Sequence, residues 1–248
     1  MHIVFFLPLI VYWLSMILGG IYNNKVLLNI GPAIGFAFAG IWGVVLLLNK
    51  YSSIVDKRIL LFISPGLISF GIGDAVWAYY ELILKIEPEE PFASTFFYYI
   101  FYITSILALI SINYFIYKEF HDKEDNIVLT IAYTFFPIIS IALVFFAFSK
   151  TALEEYGTII SFIVNFGYII FNVIILSLLV YPAYKFRGGE ISKFYMFYAT
   201  GMFFITIADL VYWIIGSSYQ VGSIPDYIWL IGTSFIYIAL YQRWKDVF

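Results

Sequence analysis

The sequence contains no cysteine and only two histidines, His2 and His121. Without cysteine the chain has no disulfides, thiolate metal sites or cysteine nucleophiles, and two histidines argue against a histidine-based metal centre. Charged residues make up only 12% of the chain, the formal net charge is −3, and no basic patch with interleaved aromatic residues is present. We therefore expect no cofactor, no bound metal and no nucleic-acid partner.

Hydrophobic residues make up 63% of the sequence and its mean hydropathy is +0.94, values outside the range of ordinary soluble domains. Residues 1–22 lack Lys and Arg and run on without a cleavage site, which favours a first membrane span over a signal peptide. About 20 apolar residues cross roughly 30 Å of hydrocarbon, and eight segments reach or approach that length. The predicted spans are residues 3–22, 27–49, 59–84, 94–117, 127–149, 158–184, 194–216 and 226–242.

Short polar connections separate the predicted spans and leave no room for a separate soluble domain. Residues 1–248 are therefore predicted to form one all-α integral membrane domain with the lipid bilayer around it. If both termini are cytoplasmic, ten lysines and arginines lie on the inner side and three on the outer side. Because positive residues favour the cytoplasmic side, we predict a cell-membrane protein with cytoplasmic N- and C-termini. An acidic hairpin at residues 87–90 then faces outward.

The two halves of the sequence show a weak internal similarity. A shift of 135 residues places Asp74 on Asp209, and a shift of 131 residues after the next loop places Tyr98 on Trp229. An even number of helices in each copy makes the copies parallel rather than inverted. The fold prediction is therefore eight transmembrane helices as two parallel four-helix repeats. The repeats are residues 1–123 and residues 124–248.

Asp74 and Asp209 lie inside apolar segments, where an ionised carboxylate costs about 2.5 to 3.5 kcal/mol on insertion scales. At 3.6 residues per turn, each shares its helix face with aromatic or acidic neighbours. Those neighbours are Trp77 and Glu81 in the first copy, and Tyr212 and Trp213 in the second. If the two faces meet, the carboxylates titrate as a coupled pair. Such a pair suits a proton-linked site, a cation site or a hydrogen-bonding pocket.

A purely structural interpretation stands beside the functional one. The aspartates can accept hydrogen bonds from tyrosines on neighbouring helices and serve only to hold the helices together. Aromatic residues near the span ends either form the belt that collects at the membrane interface or form a cage for an apolar or cationic ligand. The aromatic residues concerned are Trp77, Tyr80, Tyr98, Tyr102, Tyr212, Trp213 and Trp229.

The segments GDAVWAYYELILKIEPEEPFAST, FFYYIFYITSILAL and ADLVYWIIGSSYQVGSIPDYIWLIGTSFIYIAL carry a family resemblance. They resemble the membrane region that precedes diguanylate cyclase and other signalling output domains in multi-pass bacterial sensors. There an Asp is followed by Trp and Tyr, a short Pro-containing loop and a Tyr-rich helix. The resemblance implies an eight-helix sensory or ligand-binding domain and assigns no catalytic residue. Its pattern positions are Asp74, Trp77, Tyr80, Asp209, Tyr212 and Asp226.

Three functions from different classes follow from these features. The first is a sensor-like protein with an outward-facing pocket for a small apolar or cationic ligand. Because the sequence ends at Phe248 without an output domain, this protein is expected to signal through a cytoplasmic or membrane partner. The alternatives are a proton-coupled transporter of a small molecule or ion and an intramembrane lipid-modifying enzyme with the acids as general acid and base. The predicted ligand-binding residues are Asp74, Trp77, Tyr80, Glu81, Tyr98, Asp209, Tyr212, Trp213, Asp226 and Trp229.

Overall fold

The structure, a computed structural model, describes residues 2–86, 92–120, 122–123, 125–135, 137–138, 140–142, 159–215 and 218–247. Within these ranges the regular secondary structure is entirely helical. The helices are α1 (His2–Tyr22), α2 (Lys25–Leu48), α3 (Ile54–Tyr79), α4 (Phe92–Phe120), α5 (Asp125–Thr130), α6 (Ile159–Lys185), α7 (Glu190–Ile215) and α8 (Ile224–Val247). A π-helical turn, Tyr80–Leu84, extends α3, and a second one, Ile131–Phe135, extends α5.

Eight helical segments in the described ranges are long and apolar enough to cross a membrane, and each corresponds in order to a predicted span. They are Ile3–Tyr22, Lys25–Leu48, Ile54–Leu84, Ala93–Phe120, Asp125–Ala142, Phe166–Lys185, Ile191–Ile215 and Ile224–Lys245. Large apolar side chains such as Ile3, Leu48 and Ile214 are at least 75% exposed, as expected of a surface that faces lipid. The prediction of an all-helical chain with eight long apolar helices that could span a membrane is confirmed for the described residues.

The start of α3 differs from its predicted position. Ser53 Oγ accepts the Asp56 backbone N–H at 3.1 Å, and Asp56 Oδ2 accepts the Ser53 backbone N–H at 3.1 Å. This capping box satisfies donors that the first helical turn otherwise leaves unpaired, so α3 begins at Ile54 rather than at residue 59. The predicted loop at residues 50–58 is correspondingly shorter, and Lys57 and Arg58 belong to α3. The acidic hairpin at residues 87–90 lies outside the described residues.

Six helices form a closed ring around the core. Going round it, α2 packs on α3, α3 on α4, α4 on α6, α6 on α7, α7 on α8, and α8 returns to α2. Helix α1 lies along the seam between α2 and α8, and α5 packs on α6. Glycine permits a close helix approach between α7 and α8: a Cβ added at Gly201 on α7 would lie 2.8 Å from the Gly232 carbonyl oxygen on α8. A side chain at either position would push the two helices apart.

The two ends of the ring differ. At the end where α2 and α8 finish and α3 begins, which we call the terminal end, many buried side chains are apolar. Leu60, Ile63 and Ile112 in this half are all 0% exposed. At the opposite end, where α3 and α7 finish and α4 and α8 begin, the interior holds a cavity. We call this the cavity end.

Candidate functional site

A cavity of about 130 Å³ lies inside the ring at the cavity end. An apolar cavity of roughly 150 Å³ is known to hold benzene, so this volume suits a small organic molecule. Seven helices and the α7–α8 connection contribute to it. Its lining residues are Tyr12, Leu28, Asn29, Pro32, Phe36, Phe70, Asp74, Trp77, Ser94, Thr95, Tyr98, Tyr102, Tyr168, Ile169, Asp209, Tyr212, Trp213, Tyr219, Val221, Asp226 and Trp229.

The structure brings eight of the ten sequence-predicted site residues to the wall of this cavity. They come from α3, α4, α7 and α8, which lie far apart in the chain. The eight are Asp74, Trp77, Tyr98, Asp209, Tyr212, Trp213, Asp226 and Trp229. The other two predicted residues, Tyr80 and Glu81, do not line it.

Tyr80 and Glu81 lie where α3 changes to the π-helical turn. A π-helical turn is wider than an α-helical one, so residues after Tyr79 no longer follow the 3.6-residue periodicity that placed Glu81 on the face of Asp74. Glu81 Oε2 instead accepts a hydrogen bond from Asn29 Nδ2 at 3.0 Å, and its Oε1 lies 3.0 Å from Lys25 Nζ. Glu81 is thus one contact away from the cavity, through Asn29.

Asp74 is incompletely hydrogen-bonded. Its Oδ1 accepts a hydrogen bond from the Tyr98 hydroxyl at 2.9 Å. Its Oδ2 is buried and has no hydrogen-bond partner among the described residues. Buried polar atoms in proteins nearly always have a partner, and leaving one without costs about 1 to 3 kcal/mol. Asp74 therefore has capacity to accept one more donor.

Asp209, by contrast, accepts three hydrogen bonds. Oδ2 receives Asn172 Nδ2 at 2.6 Å and the Tyr102 hydroxyl at 3.0 Å, and Oδ1 receives Trp229 Nε1 at 2.8 Å. Sequence reasoning did not include Asn172, which is fully buried on α6. The signal that could have found it is its isolation as a polar residue in the apolar run YIIFNVIIL.

Helix α4 connects the two aspartates. Tyr98 and Tyr102 are four residues apart, one helical turn, and therefore point to the same side of α4. Each donates to a different aspartate, Asp74 on α3 and Asp209 on α7. The ring of Tyr168 packs edge-on against both tyrosines, at centroid distances of 6.4 and 5.7 Å. The two carboxylates thus share one cavity, but separate donors hold them.

The residue pairs that the sequence repeat aligns make corresponding hydrogen bonds. Tyr98 donates to Asp74 at 2.9 Å, and Trp229 donates to Asp209 at 2.8 Å. In each case the acceptor lies near the end of one helix and the donor near the start of the next. The interaction has the same form in both halves of the chain.

Asp226 holds the connection between α7 and α8 against the cavity. Its Oδ1 accepts the Tyr219 hydroxyl at 2.8 Å, and its Oδ2 accepts the Gly222 backbone N–H at 2.6 Å. Gly222 has φ +91°, a left-handed conformation that favours glycine. The Tyr219 ring packs on Tyr212 at 4.7 Å, and burial raises the pKa of its hydroxyl well above the ordinary 10.0. Tyr219 therefore stays a neutral donor. Residues 218–223, which we call the mouth segment, contribute Tyr219 and Val221 to the cavity wall.

The charge of the cavity wall is one-sided. Three of the lining residues are aspartates, and none of them is Lys, Arg or His. Within the described part of the chain, no group of three or more His, Cys, Asp or Glu residues could hold a metal ion. Most of the remaining wall is aromatic, and aromatic faces attract cations as well as apolar groups. The wall is chemically suited to an apolar molecule that carries a hydrogen-bond donor or a positive charge.

No family model, curated protein or solved structure matches the chain. The resemblance to the membrane regions of bacterial sensors therefore stays a prediction from the sequence.

Proposed function

We propose that the protein is a membrane-embedded, sensor-like receptor that binds a small molecule in the cavity and passes its occupancy to a partner protein. The observation that carries the proposal is the cavity itself, which gathers three aspartates and many aromatic rings from seven helices. Placing buried carboxylates in a membrane domain is costly, and such residues usually serve ligand or ion binding.

The hydrogen bonds around the aspartates support ligand binding over a purely structural role. A carboxylate that only holds helices together is expected to have its oxygens satisfied by neighbouring side chains, as those of Asp209 are. Asp74 does not follow this pattern because Oδ2 has no partner. A bound molecule would supply the missing donor.

The apolar terminal half of the ring favours a receptor over a transporter. A transporter needs a route from its binding site to each side of the membrane in turn. Between the cavity and the terminal end, apolar side chains such as Leu60, Ile63 and Ile112 are buried at 0% exposure. We therefore propose a cavity that communicates with the outer side alone, with both termini in the cytoplasm as the distribution of Lys and Arg predicts.

Helices α3 and α8 supply a connection from the cavity to the terminal end. At the cavity they contribute Asp74 and Trp229, and at the terminal end they are joined by a buried ion pair. Arg243 Nη2 donates to Asp56 Oδ2 at 2.8 Å, and Arg243 Nε lies 2.7 Å from Asp56 Oδ1. A ligand that moves α3 relative to α8 would shift this buried pair and, with it, the terminal end of the ring, which is where a cytoplasmic partner would bind.

The test is to fill the cavity without changing any carboxylate. Val221 lines the cavity from the mouth segment, so Val221→Trp places an indole inside it. Purified wild type and variant are denatured, extracted with solvent and compared by liquid chromatography and mass spectrometry. Ile214→Trp is the matched control, because Ile214 is 75% exposed on the outer face of α7. A small molecule present in wild type and control but absent from Val221→Trp supports the proposal, whereas identical extracts contradict it.

A further inference from the structure

The three aspartates of the cavity differ in how many donors they already have. Asp209 accepts three hydrogen bonds, and Asp226 accepts two with both oxygens engaged. Asp74 accepts one, on Oδ1, and Oδ2 is left without a partner. In its ionised state Asp74 is purely an acceptor, so in that state the group that completes it is a donor. Among the three carboxylates, Asp74 is the one placed to contact a ligand.

Charge decides which kind of donor suits Asp74. The cavity wall has three aspartates and no basic side chain. Lys25, close by on α2, lies 3.0 Å from Glu81 and is therefore already used outside the cavity. The wall thus has no basic side chain to balance the negative charge of these carboxylates in their ionised state. A positively charged ligand would balance it, and its hydrogen bond to a carboxylate would be charge-assisted.

The aromatic residues around Asp74 strengthen the preference for a cation. Tyr98 on α4 donates a hydrogen bond to Asp74 on α3. Trp77 lies one turn after Asp74 on α3 and also lines the cavity. Tyr212 and Trp229 complete the aromatic wall from α7 and α8, with ring centroids 5.7 Å apart. The negative faces of such rings attract an ammonium group while their area accommodates an apolar body.

Other ligand classes fit the wall less well. An anion would meet three carboxylates and no basic group, and a divalent metal ion would find no cluster of ligating side chains in the described part of the chain. A hydrocarbon would leave Asp74 Oδ2 unpaired. A quaternary ammonium has charge but no N–H to donate to it. An ammonium that carries at least one N–H meets both requirements.

We infer that the cavity binds a protonated amine that carries at least one N–H and whose apolar body is about the size of one aromatic ring, with its N–H donated to Asp74 Oδ2. The inference rests on the proposed function, since it names the chemical class of ligand for the same cavity. The volume of about 130 Å³ sets the size of the apolar body, because a cavity of roughly 150 Å³ holds benzene.

The test compares benzylammonium with benzyl alcohol, two probes that share a ring and differ in charge. Isothermal titration calorimetry is done on the protein in lipid nanodiscs, with empty nanodiscs correcting for partition of the probes into lipid. We expect benzylammonium to bind wild type about tenfold or more tightly than benzyl alcohol, because both can donate a hydrogen bond to Asp74 but only benzylammonium adds a positive charge to it. Asp74→Asn should remove this preference, whereas the same change at the exposed Asp122 should keep it.

Val221→Trp keeps all three carboxylates and is expected to abolish binding of both probes, so the test does not depend on Asp74→Asn folding well. Equal binding of the two probes to wild type, lost in Val221→Trp, overturns the amine inference and leaves the proposed function standing. An ammonium preference that survives in a folded Asp74→Asn protein also overturns it. If neither probe binds wild type, the amine inference fails, and the solvent extracts described above decide the proposed function separately.

Discussion

The same substitution at Asp74 and Asp209 is predicted to have different effects on the stability of the empty protein. The two residues occupy aligned positions in the sequence and line the same cavity, but Asp209 accepts three hydrogen bonds and Asp74 accepts one. Asparagine keeps the size of aspartate and replaces one acceptor oxygen by an NH₂ donor. Comparing Asp74→Asn with Asp209→Asn therefore shows how much the donors around each carboxylate contribute to the stability of the protein.

At Asp209 the asparagine oxygen can take the Oδ2 position and keep two hydrogen bonds, but its NH₂ group then faces Trp229 Nε1, another donor. Hydrogen bonds between membrane helices average about 0.6 kcal/mol with a maximum near 1.7, and a buried donor left unpaired costs about 1 to 3 kcal/mol. We expect Asp209→Asn to cost about 2 kcal/mol. At Asp74 the oxygen can keep the bond from Tyr98 and the NH₂ meets no donor, so Asp74→Asn should cost less than about 1 kcal/mol.

The assay is thermal unfolding in detergent, followed by tryptophan fluorescence after exhaustive washing to remove bound molecules. A loss of about 2 kcal/mol corresponds to a fall in Tm of roughly 4 to 8 °C for a chain of this size. Glu119→Gln, at an exposed position, controls for the general effect of removing a carboxylate. Equal falls at Asp74 and Asp209, or a larger fall at Asp74, would refute the assignment of a structural role to Asp209 and a ligand role to Asp74.

Three further predictions concern the helices outside the cavity. Asp56→Asn leaves Arg243 buried without its carboxylate partner. The free energy of unfolding in detergent should fall by about 3 to 5 kcal/mol. A fall below about 1 kcal/mol would show that the pair is not a structural connection. Gly201→Val should separate α7 from α8 and lower Tm, whereas Gly188→Ala, at a position with no neighbour within 4 Å but with φ +84°, should cost less. The hydrogen bond from Lys185 lowers the pKa of the Asp122 carboxyl below 3.8, so its small stabilising effect is present above that pH and lost as the pH falls through the lowered pKa. The Tm values of wild type and Asp122→Asn should therefore converge in acid, and a constant difference would count against this ion pair.

The sequence was informative where a residue type is exceptional in its surroundings. An aspartate in an apolar helix is costly, and the 3.6-residue periodicity then identifies which neighbours share its face. That reasoning led from Asp74 to Trp77 and from Asp209 to Tyr212, all of which line one cavity. The repeat added Tyr98 and Trp229 as aligned donors. The two-repeat organisation and the orientation in the membrane stay predictions.

The remaining features depend on details that helical periodicity does not contain. Glu81 lies past the change from α-helix to π-helical turn, so its side chain reaches Asn29 instead of the face of Asp74. Asn172 comes from α6, where apolar residues on every face leave the rotation of the helix about its axis undetermined. Which oxygen of each carboxylate has a donor depends on the packing of several helices. The sequence therefore could not reveal that Asp74 Oδ2 has no partner; this required the three-dimensional arrangement.

The measurement that tests the central claim most directly is native mass spectrometry of gently extracted protein, comparing wild type with the double variant Asp74→Asn and Asp209→Asn. The comparison needs no assumption about the identity of the ligand. The account predicts an additional small-molecule mass on the wild-type protein that is absent from the folded double variant. The same mass spectrum for both proteins would contradict the account and leave the two aspartates as residues that only hold the helices together.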